Sequence, residues 1–315
     1  MIKIAKTQLL LLLFNVHFTL KSEILTPPKI SMPHQTPLNN EDRRSSAPFI
    51  SGDSFRKLAK FYVDEMRIGF DPQAVKNGDI IFLKPDFCDY FFTIVHPKIT
   101  SKYILISHNS DFSVPGKYGN MLDDQKLIAW FGQNIDRKHS KLIPIPIGIA
   151  NRYWPTGRMK ILDRIINEAY RITKDIFCYL NVCVSTNDAE RSLIVKLFEH
   201  SSFCYQPSKR LSWAKYLLDL ARSKFILSPE GNGLDCYRTW EVLYMGSFPI
   251  VKSSTLDELY KDLPIIIVNS WKEVTKKFLK QKFQEFKTKK FNLDKMYFFF
   301  WENKIKQLQK IHQFN

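Results

Sequence analysis

The residues best suited to hold an anionic ligand lie in one segment, Ser-Pro-Glu-Gly-Asn-Gly-Leu-Asp-Cys-Tyr-Arg-Thr-Trp-Glu, at residues 228–241. This segment follows an apolar run typical of a strand and continues into a helical pattern. The free N–H groups and the positive dipole end of that helix would face the loop, which favours phosphate binding. Glycines in the loop would let the backbone approach a ligand closely. The predicted ligand contacts are Ser228, Gly231, Asn232 and Gly233.

Two charged side chains on the helix extend this predicted site. Arg238 lies on its first or second turn, where a guanidinium can hold a phosphate through two parallel hydrogen bonds. Glu241 follows one turn later, and its carboxylate can accept hydrogen bonds from both hydroxyls of a ribose. We expect both on the solvent-open face, opposite Trp240 and Leu243, with Asp235 as a candidate N-cap. The same pattern also fits a surface ion pair worth only ~0.3–0.5 kcal/mol.

Arg191 and Lys252 are further candidates for phosphate contacts. Arg191 comes shortly after the first predicted strand of the second half, and Lys252 closes a later strand at the same predicted rim. Each has an ordinary structural alternative. Arg191 would then be a solvated side chain on a helix capped by Asn187 or Asp188, and Lys252 would be a surface lysine.

In the first half, His108 and Asp111 follow another apolar strand pattern, within the run Ser-His-Asn-Ser-Asp at 107–111. A group-transfer enzyme needs a general base that removes the proton from the acceptor hydroxyl, and both residue types can serve. These two residues are therefore the predicted catalytic candidates. The alternative is that Asp111 caps a turn and His108 packs in the core.

The sequence predicts no metal site and no cofactor. Asp123 and Asp124 are adjacent rather than separated by one residue, and we interpret them as the start of a helix before Gln125. The 5 cysteines show neither the CxxC spacing of a metal site nor the density of a disulfide framework. A leaving phosphate group would then be stabilised by Arg238 and the helix dipole.

The composition is that of a folded protein with a strongly basic surface. Of 315 residues, 44% are hydrophobic and 25% charged, which excludes a disordered chain and allows two domains. The formal net charge of +16 favours anionic partners such as nucleic acid, anionic lipid or phosphorylated small molecules. No zinc-finger, RNP or other nucleic-acid-binding module is recognisable.

The N-terminal residues resemble a targeting segment followed by a linker. Lys3 and Lys6 precede an apolar stretch at 9–20, which is shorter than the ~20 residues of a membrane span. We therefore predict a signal peptide or short signal anchor at 1–25 and a Pro-rich linker at 26–48. The protein would be exported or associated with a membrane through this segment, and otherwise cytoplasmic.

Two folded halves are predicted after the linker. The first, at 49–150, contains a helical pattern at 55–66 and strand-like runs at 80–83, 103–107 and 142–147. The second, at 151–290, alternates strands and helices, which predicts an α/β fold with a doubly wound parallel sheet. In such a sheet the strand at 224–228 would be central and ligands would bind at the carboxyl ends. A C-terminal helix at 291–315 is expected to pack back on the first half.

The second half resembles the exostosin-type glycosyltransferases, including the ribitol-xylosyltransferase branch. The resemblance rests on Phe-Ile-Leu-Ser-Pro-Glu-Gly-Asn-Gly at 225–233, Arg-Thr-Trp-Glu at 238–241, Gly-Ser-Phe-Pro-Ile-Val at 246–251 and Leu-Asp-Glu-Leu-Tyr at 256–260. It implies two facing Rossmann-like domains, the GT-B type, with a nucleotide-sugar donor held by the C-terminal half. The arginine matching Arg238 would face the donor pyrophosphate, and the glutamate matching Glu241 the ribose.

The predicted function is a metal-independent glycosyltransferase. It would move a sugar from a nucleotide-sugar donor, typically a UDP-sugar, to a glycan or another hydroxyl acceptor on the side of the first half. Inversion at the transferred carbon follows from the resemblance. The alternatives are a non-catalytic carbohydrate-binding paralogue and a basic nucleic-acid-binding protein, of which the second is not expected.

Overall fold

The computed structural model describes residues 43–313. The predicted signal or anchor segment and most of the predicted linker lie outside these residues. Among the helices of residues 43–313, none has both the length and the apolar character that crossing a membrane requires.

The described residues form eleven strands and nine α-helices. The strands are β1 (Phe61–Asp64), β2 (Arg67–Ile68), β3 (Asp79–Leu83), β4 (Tyr103–Ser107), β5 (Leu127–Gly132), β6 (Leu142–Pro144), β7 (Ile176–Tyr179), β8 (Cys204–Tyr205), β9 (Ser223–Leu227), β10 (Phe248–Lys252) and β11 (Ile266–Val268). The helices are α1 (Gly52–Arg56), α2 (Cys88–Tyr90), α3 (Met159–Ala169), α4 (Asp188–Phe198), α5 (Trp213–Arg222), α6 (Tyr237–Tyr244), α7 (Asp257–Tyr260), α8 (Lys276–Thr288) and α9 (Phe298–Gln313).

The first half contains a sheet in the order β2-β1-β3-β4-β5-β6. Its strands are parallel except for the short β2, which pairs antiparallel with β1. Every residue of β3 and β4 is buried. Continuous apolar runs of this kind are expected for parallel strands covered on both faces.

The second half contains a fully parallel sheet in the order β11-β10-β9-β7-β8. The direction of strand addition reverses at β7, because β8 lies on one side of it and β9 on the other. Right-handed crossovers then place helices on both faces, and the crevice between β7 and β9 is the expected position of a ligand. The predicted α/β class with a doubly wound second half is therefore confirmed, and β9 is central as predicted. The facing GT-B arrangement stays a prediction.

Alternate residues of the second sheet belong to two different apolar clusters. Phe225 and Leu227 of β9 pack in a cluster confined to the second half, with Cys178 and Phe248. Ile226, between them, belongs to a larger cluster that also includes the core of the first half. This period of two shows that both faces of the sheet are covered, and that one face joins the apolar core of the neighbouring half.

Several predicted elements of the first half differ from the structure. The predicted helix at 55–66 is wrong, since α1 ends at Arg56 and residues 61–64 form β1. The aromatic and β-branched run in β1 favours a strand, and β3 pairs with it. The predicted helix start at Asp123 is wrong because a 3-10 helix ends there, and the residues that follow form the strand β5 (Leu127–Gly132).

The C-terminal segment contacts both halves. The Phe298 ring lies 5.5 Å from that of Phe55, in an edge-on arrangement. The hydroxyl of Tyr244, on α6, donates to the carbonyl of Met296 over 2.5 Å and accepts from the backbone N–H of Ile50 over 3.4 Å. Met296 and Phe298, at and just before the start of α9, therefore connect α6 of the second half with α1 of the first.

Gly148 lies where the chain leaves the first half, and its conformation leaves no room for a side chain. Its φ is 69°, and a Cβ there would lie 2.2 Å from the carbonyl oxygen of Ile50. Gly148→Ala should therefore lower the free energy of unfolding by more than the ~1–2 kcal/mol of a left-handed alanine. Gly116→Ala is the matched control, because Gly116 has a φ of 57° and open space around its Cβ position. Urea unfolding of both variants measures the difference, and equal losses would contradict the steric argument.

Candidate functional site

A cavity of about 1820 Å³ opens at the carboxyl ends of β7 and β9. Asn181 beyond β7 and Gly231 to Gly233 beyond β9 line it, together with Asp111 and Ile147 from the first half. The cavity therefore occupies the crevice that the topology of the second sheet predicts. Seven of the sequence-predicted site residues line it: Asp111, Arg191, Gly231, Asn232, Gly233, Arg238 and Glu241.

Arg238 lies in the wall of this cavity and has hydrogen-bond donors without a partner. Its Nη2 donates to the carbonyl oxygen of Asn181 over 2.8 Å, which ties α6 to the end of β7. Its Nε and Nη1 are buried and have no hydrogen-bond partner. Buried polar groups of folded proteins are nearly always paired, and a charged group without partners is especially unfavourable. These donors therefore indicate a ligand that supplies negatively charged oxygens.

The start of α6 adds backbone donors to the same wall. Its N-cap is Cys236, whose side chain makes no capping hydrogen bond, and Cys236, Tyr237 and Arg238 all line the cavity. The first N–H groups of a helix have no partners within the helix, and the dipole makes this end positive. The uncapped end of α6 and the guanidinium of Arg238 thus act on the same part of the cavity.

The predicted exposure of Glu241 is wrong, because its side chain is buried, with only 4% of the residue exposed. Its Oε1 accepts a hydrogen bond from Nε1 of Trp213 over 3.0 Å, and the Tyr216 hydroxyl also bonds to it. Burial raises the pKa of Glu241, whereas Trp213, the charge of Arg238 and Tyr216 lower it. A carboxylate offers about four acceptor positions. Glu241 therefore retains capacity for a ligand in the cavity.

Arg191 organises the loop after β9. Its Nε donates to the carbonyl of Glu230 over 2.9 Å and its Nη2 to that of Pro229 over 3.3 Å. Its Nη1 contacts the carbonyl of Cys183 and the hydroxyl of Thr186, and Nη2 also approaches the sulfur of Cys236. All five N–H groups of the guanidinium thus have partners within the protein. Arg191 thus shapes the loop beside the cavity, and its predicted contact with a phosphate stays a prediction.

The two loop glycines make room for protein side chains. A Cβ on Gly231 would lie 2.8 Å from Nη2 of Arg191, and one on Gly233 would lie 2.4 Å from Nδ2 of Asn134. Asn134 extends from the end of β5 in the first half and accepts a hydrogen bond from the N–H of Asp235 over 2.9 Å. Gly231 therefore makes room for Arg191 within the second half, and Gly233 permits the contact with Asn134 of the first half, while both line the cavity.

Asp111 and Asn232 meet across the cavity mouth. Nδ2 of Asn232 donates to Oδ2 of Asp111 over 3.1 Å, and both residues are exposed. This hydrogen bond brings a carboxylate of the first half next to the loop of the second. Asp111 is thus the predicted catalytic candidate that the structure places in the cavity.

Ser228, Lys252 and His108, the other predicted site residues, do not line the cavity. Ser228 and Lys252 have partners within the protein. The hydroxyl of Ser228 is buried and shares a hydrogen bond of 2.9 Å with that of Thr239. Nζ of Lys252 pairs with Oε2 of Glu190 over 2.7 Å, as an ordinary structural lysine would. Neither side chain is positioned to contact a ligand near Arg238.

His108 is buried, with 1% exposed, and both ring nitrogens are engaged. Nε2 donates to the carbonyl of Pro146 over 3.1 Å, and Nδ1 accepts from the N–H of Asn109 over 2.7 Å. Burial lowers the pKa of His108 to about 4, against the hydrogen bonds to Pro146 and Asn109, which raise it. The structure therefore supports the packing alternative for this histidine.

Asp235 is the site-adjacent residue whose role the sequence did not reveal. The prediction that Asp235 caps α6 is wrong, because the N-cap is Cys236. Asp235 is instead buried, and its carboxylate accepts a hydrogen bond from the N–H of Ile147 over 2.8 Å. It also accepts from Nε1 of Trp240 and the hydroxyl of Tyr260. Its neighbour Ile147 is 88 residues away in sequence, so no local pattern could indicate this contact.

The adjacent acidic pair Asp123 and Asp124 does not line the cavity. Within residues 43–313, no group of three or more His, Cys, Asp or Glu side chains is arranged to hold a metal ion. Asp124, of the adjacent acidic pair, instead accepts hydrogen bonds from Nε2 of His96 and from the N–H of Lys126.

The burial of neutral His108 should make stability depend on pH. Its pKa falls from 6.5 to about 4 on folding, so its stabilising contribution is present above pH 6.5 and is lost as the pH falls towards 4. That contribution is on the order of 3 kcal/mol. His108→Asn should reduce the slope of unfolding free energy against pH between 4 and 6.5, as measured by urea titration. His200→Asn, at a side chain 92% exposed, should leave it unchanged. An unaltered slope for the His108 variant would contradict this account.

The second half also matches a known protein family. Residues 179–313 match the family model of the RXYLT1 C-terminal domain, and this range contains the loop after β9 and all of α6. The chain matches none of the curated proteins with which it was compared. Residues 179–313 are therefore similar to the RXYLT1 C-terminal domain, and this match, together with the α/β fold, suggests a glycosyltransferase family.

Proposed function

We propose that this protein transfers a sugar from a nucleotide-sugar donor, a UDP-sugar, to a hydroxyl group of a glycan or another acceptor. The observation that carries the proposal is the guanidinium of Arg238, whose Nε and Nη1 are buried without partners in the cavity wall. A diphosphate supplies the oxygens that these donors lack, and charge-assisted bonds of this kind are about twice as strong as neutral ones.

The diphosphate of the donor would lie between Arg238 and the uncapped start of α6. The positive charge of Arg191 would attract the diphosphate without a direct hydrogen bond, because the N–H groups of Arg191 already bond to the loop. Burial and the positive charge of Arg238 both lower the pKa of Arg191, and neither guanidinium is paired with a carboxylate among residues 43–313. An anion between them would relieve this repulsion. The ribose would then lie towards Glu241, one helical turn further.

The proposed reaction is a single displacement at the anomeric carbon. Asp111 would take the proton of the acceptor hydroxyl, whose oxygen forms the new glycosidic bond while the bond to the diphosphate breaks. Negative charge develops on the leaving diphosphate, where Arg238 and the helix end are already positioned to stabilise it. Attack from the side of the first half, opposite the leaving group, inverts the configuration.

The cavity is large enough for both substrates. Its volume of about 1820 Å³ exceeds the roughly 300–1,000 Å³ of a typical ligand site. The formal net charge of +16 further favours the approach of an anionic donor.

The proposed reaction does not use a metal ion. The carboxylates that line the cavity are Asp111, Asp235 and Glu241. Asp235 accepts four hydrogen bonds from the protein, and Glu241 accepts from Trp213 and Tyr216 and in this proposal faces the ribose. The positive charge near the diphosphate comes instead from guanidinium and helix, so these groups would replace the divalent ion.

Arg238→Ala should weaken UDP binding by about ten- to a hundredfold, because a charge-assisted contact is worth roughly 1.5–3 kcal/mol. Arg238→Lys should recover only part of this loss, since an ammonium cannot reproduce the planar fork. Isothermal titration calorimetry at moderate salt measures both. Lys252→Ala is the charge-matched control and should bind UDP like the parent, because Lys252 does not line the cavity. Parent-like binding by Arg238→Ala would refute the assignment of the donor site.

Sugar transfer from a panel of nucleotide sugars should continue in EDTA. The guanidinium and helix dipole do not depend on a dissociable ion, so the rate in EDTA should equal that of the untreated enzyme. The measurement is nucleoside diphosphate release with EDTA, and with EDTA followed by excess manganese. Activity lost in EDTA and restored by manganese would show that a metal takes part.

A further inference from the structure

The start of α5 forms the part of the cavity wall next to Glu241. Residues 207–214, which lead from β8 into α5, line the cavity together with Tyr216. Ser212 is the N-cap of α5, and its hydroxyl accepts a hydrogen bond from the N–H of Lys215 over 3.3 Å. This cap fixes the first turn of the helix. Trp213 and Tyr216 lie three residues apart on that turn, so their side chains share one face of α5.

Both side chains donate hydrogen bonds to the carboxylate of Glu241. Nε1 of Trp213 donates to Oε1 of Glu241 over 3.0 Å, and the Tyr216 hydroxyl is the second donor. Glu241 is buried on α6, and the positive charge of Arg238 on the same helix also acts on it. The two neutral donors and this charge stabilise the ionised form of the carboxylate against its burial.

The carboxylate of Glu241 selects the kind of group that can lie beside it. An ionised carboxylate only accepts hydrogen bonds, and it offers about four acceptor positions, of which Trp213 and Tyr216 occupy two. A phosphate oxygen beside it would be repelled, whereas a pair of hydroxyl groups could donate to the remaining positions. Arg238 lies three residues earlier on α6, so the two side chains are neighbours. A nucleotide carries its ribose next to its phosphates, which matches an acceptor beside unpaired donors.

Building on the proposed function, we infer that Trp213 and Tyr216 are positioning residues for the ribose of the donor. They hold the carboxylate of Glu241 so that its free acceptor positions face the two ribose hydroxyls. The site thereby distinguishes ribonucleotides from deoxyribonucleotides, because a ligand that lacks a hydroxyl leaves a buried acceptor without its partner. Both side chains act through the carboxylate rather than through the nucleotide itself.

The test compares the affinities for UDP and for its 2′-deoxy and 3′-deoxy analogues. Isothermal titration calorimetry at moderate salt measures all three with the full protein. The parent should bind UDP about ten- to a hundredfold more tightly than each analogue, the range for one hydrogen bond to a charged group. The ratio of these affinities reports the ribose contact separately from the diphosphate contact, which the three ligands share.

Trp213→Phe and Tyr216→Phe each remove one donor to Glu241 and keep an aromatic ring. Each should reduce the ratio of UDP to analogue affinity by about three- to tenfold, through weaker binding of UDP. Trp271→Phe is the matched control, because Nε1 of Trp271 donates to Oε1 of Glu190 over 2.6 Å and neither residue lines the cavity. This variant loses the same kind of hydrogen bond and should keep the ratio of the parent.

A double variant tests whether Trp213 acts through the carboxylate. Glu241→Ala removes the acceptor and should bring the ratio of UDP to analogue affinity close to one. Adding Trp213→Phe to Glu241→Ala should then leave the UDP affinity unchanged, because the group that Trp213 positions is gone. If Trp213→Phe weakened UDP binding as much in this background as in the parent, Trp213 would contact the nucleotide directly and its positioning role would be wrong.

The inference is overturned if the parent binds UDP and both analogues alike, or if neither phenylalanine variant at 213 or 216 changes the ratio. In the first case, binding of UDP would still support the nucleotide site and the proposed function. A parent protein that binds none of the three ligands would instead refute the proposed function together with this inference.

Discussion

The buried carboxylate of Asp235 fixes the loop after β9 against the first half. Its Oδ2 accepts from the N–H of Ile147 and from Nε1 of Trp240, each over 2.8 Å, and its Oδ1 accepts from the hydroxyl of Tyr260 and the N–H of Cys236. Burial raises its pKa to about 6, and these donors oppose the shift. A hydrogen bond to a charged group typically contributes ~1.5–3 kcal/mol. Because Cys236 is the N-cap of α6, the same carboxylate also determines where that helix begins.

The two arginines near this loop, Arg191 and Arg238, differ in how many of their hydrogen-bond donors have partners within the protein. The donors of Arg191 are taken by loop carbonyls, a hydroxyl and a thiol, so it stabilises the fold around the cavity. Arg238 uses one donor for the carbonyl of Asn181 and keeps Nε and Nη1 open. A folded protein tolerates such open donors mainly where function requires them. The unpaired donors of Arg238 are unfavourable in the free protein. An anion that accepts their hydrogen bonds removes this unfavourable free energy and is bound more tightly for that reason.

The sequence predicted the local part of the site and missed the part that depends on distant residues. Strand, loop and helix follow one another within residues 228–241, so periodicity and residue type were enough to locate Arg238 beside the cavity. The exposure of Glu241 could not be predicted in this way, because Trp213, 28 residues earlier, covers it. A helical pattern separates two faces, but it does not show that α5 and the first half cover nearly all of α6. The need for Gly233 likewise depends on Asn134, from another half of the chain.

The two sides of the cavity therefore differ in whether neighbouring or distant residues of the sequence form them. On the donor side, parallel strands end at a common edge and a helix starts there, an arrangement that a short sequence can specify. On the opposite side, Asp53, Asn109 and Asn151 come from three separate segments and hold the loops together by side-chain hydrogen bonds. The family match, at 179–313, includes the first side and none of the second. For the proposed glycosyltransferase, the family match therefore bears on the donor side, whereas the acceptor side must be read from the loops of this chain itself.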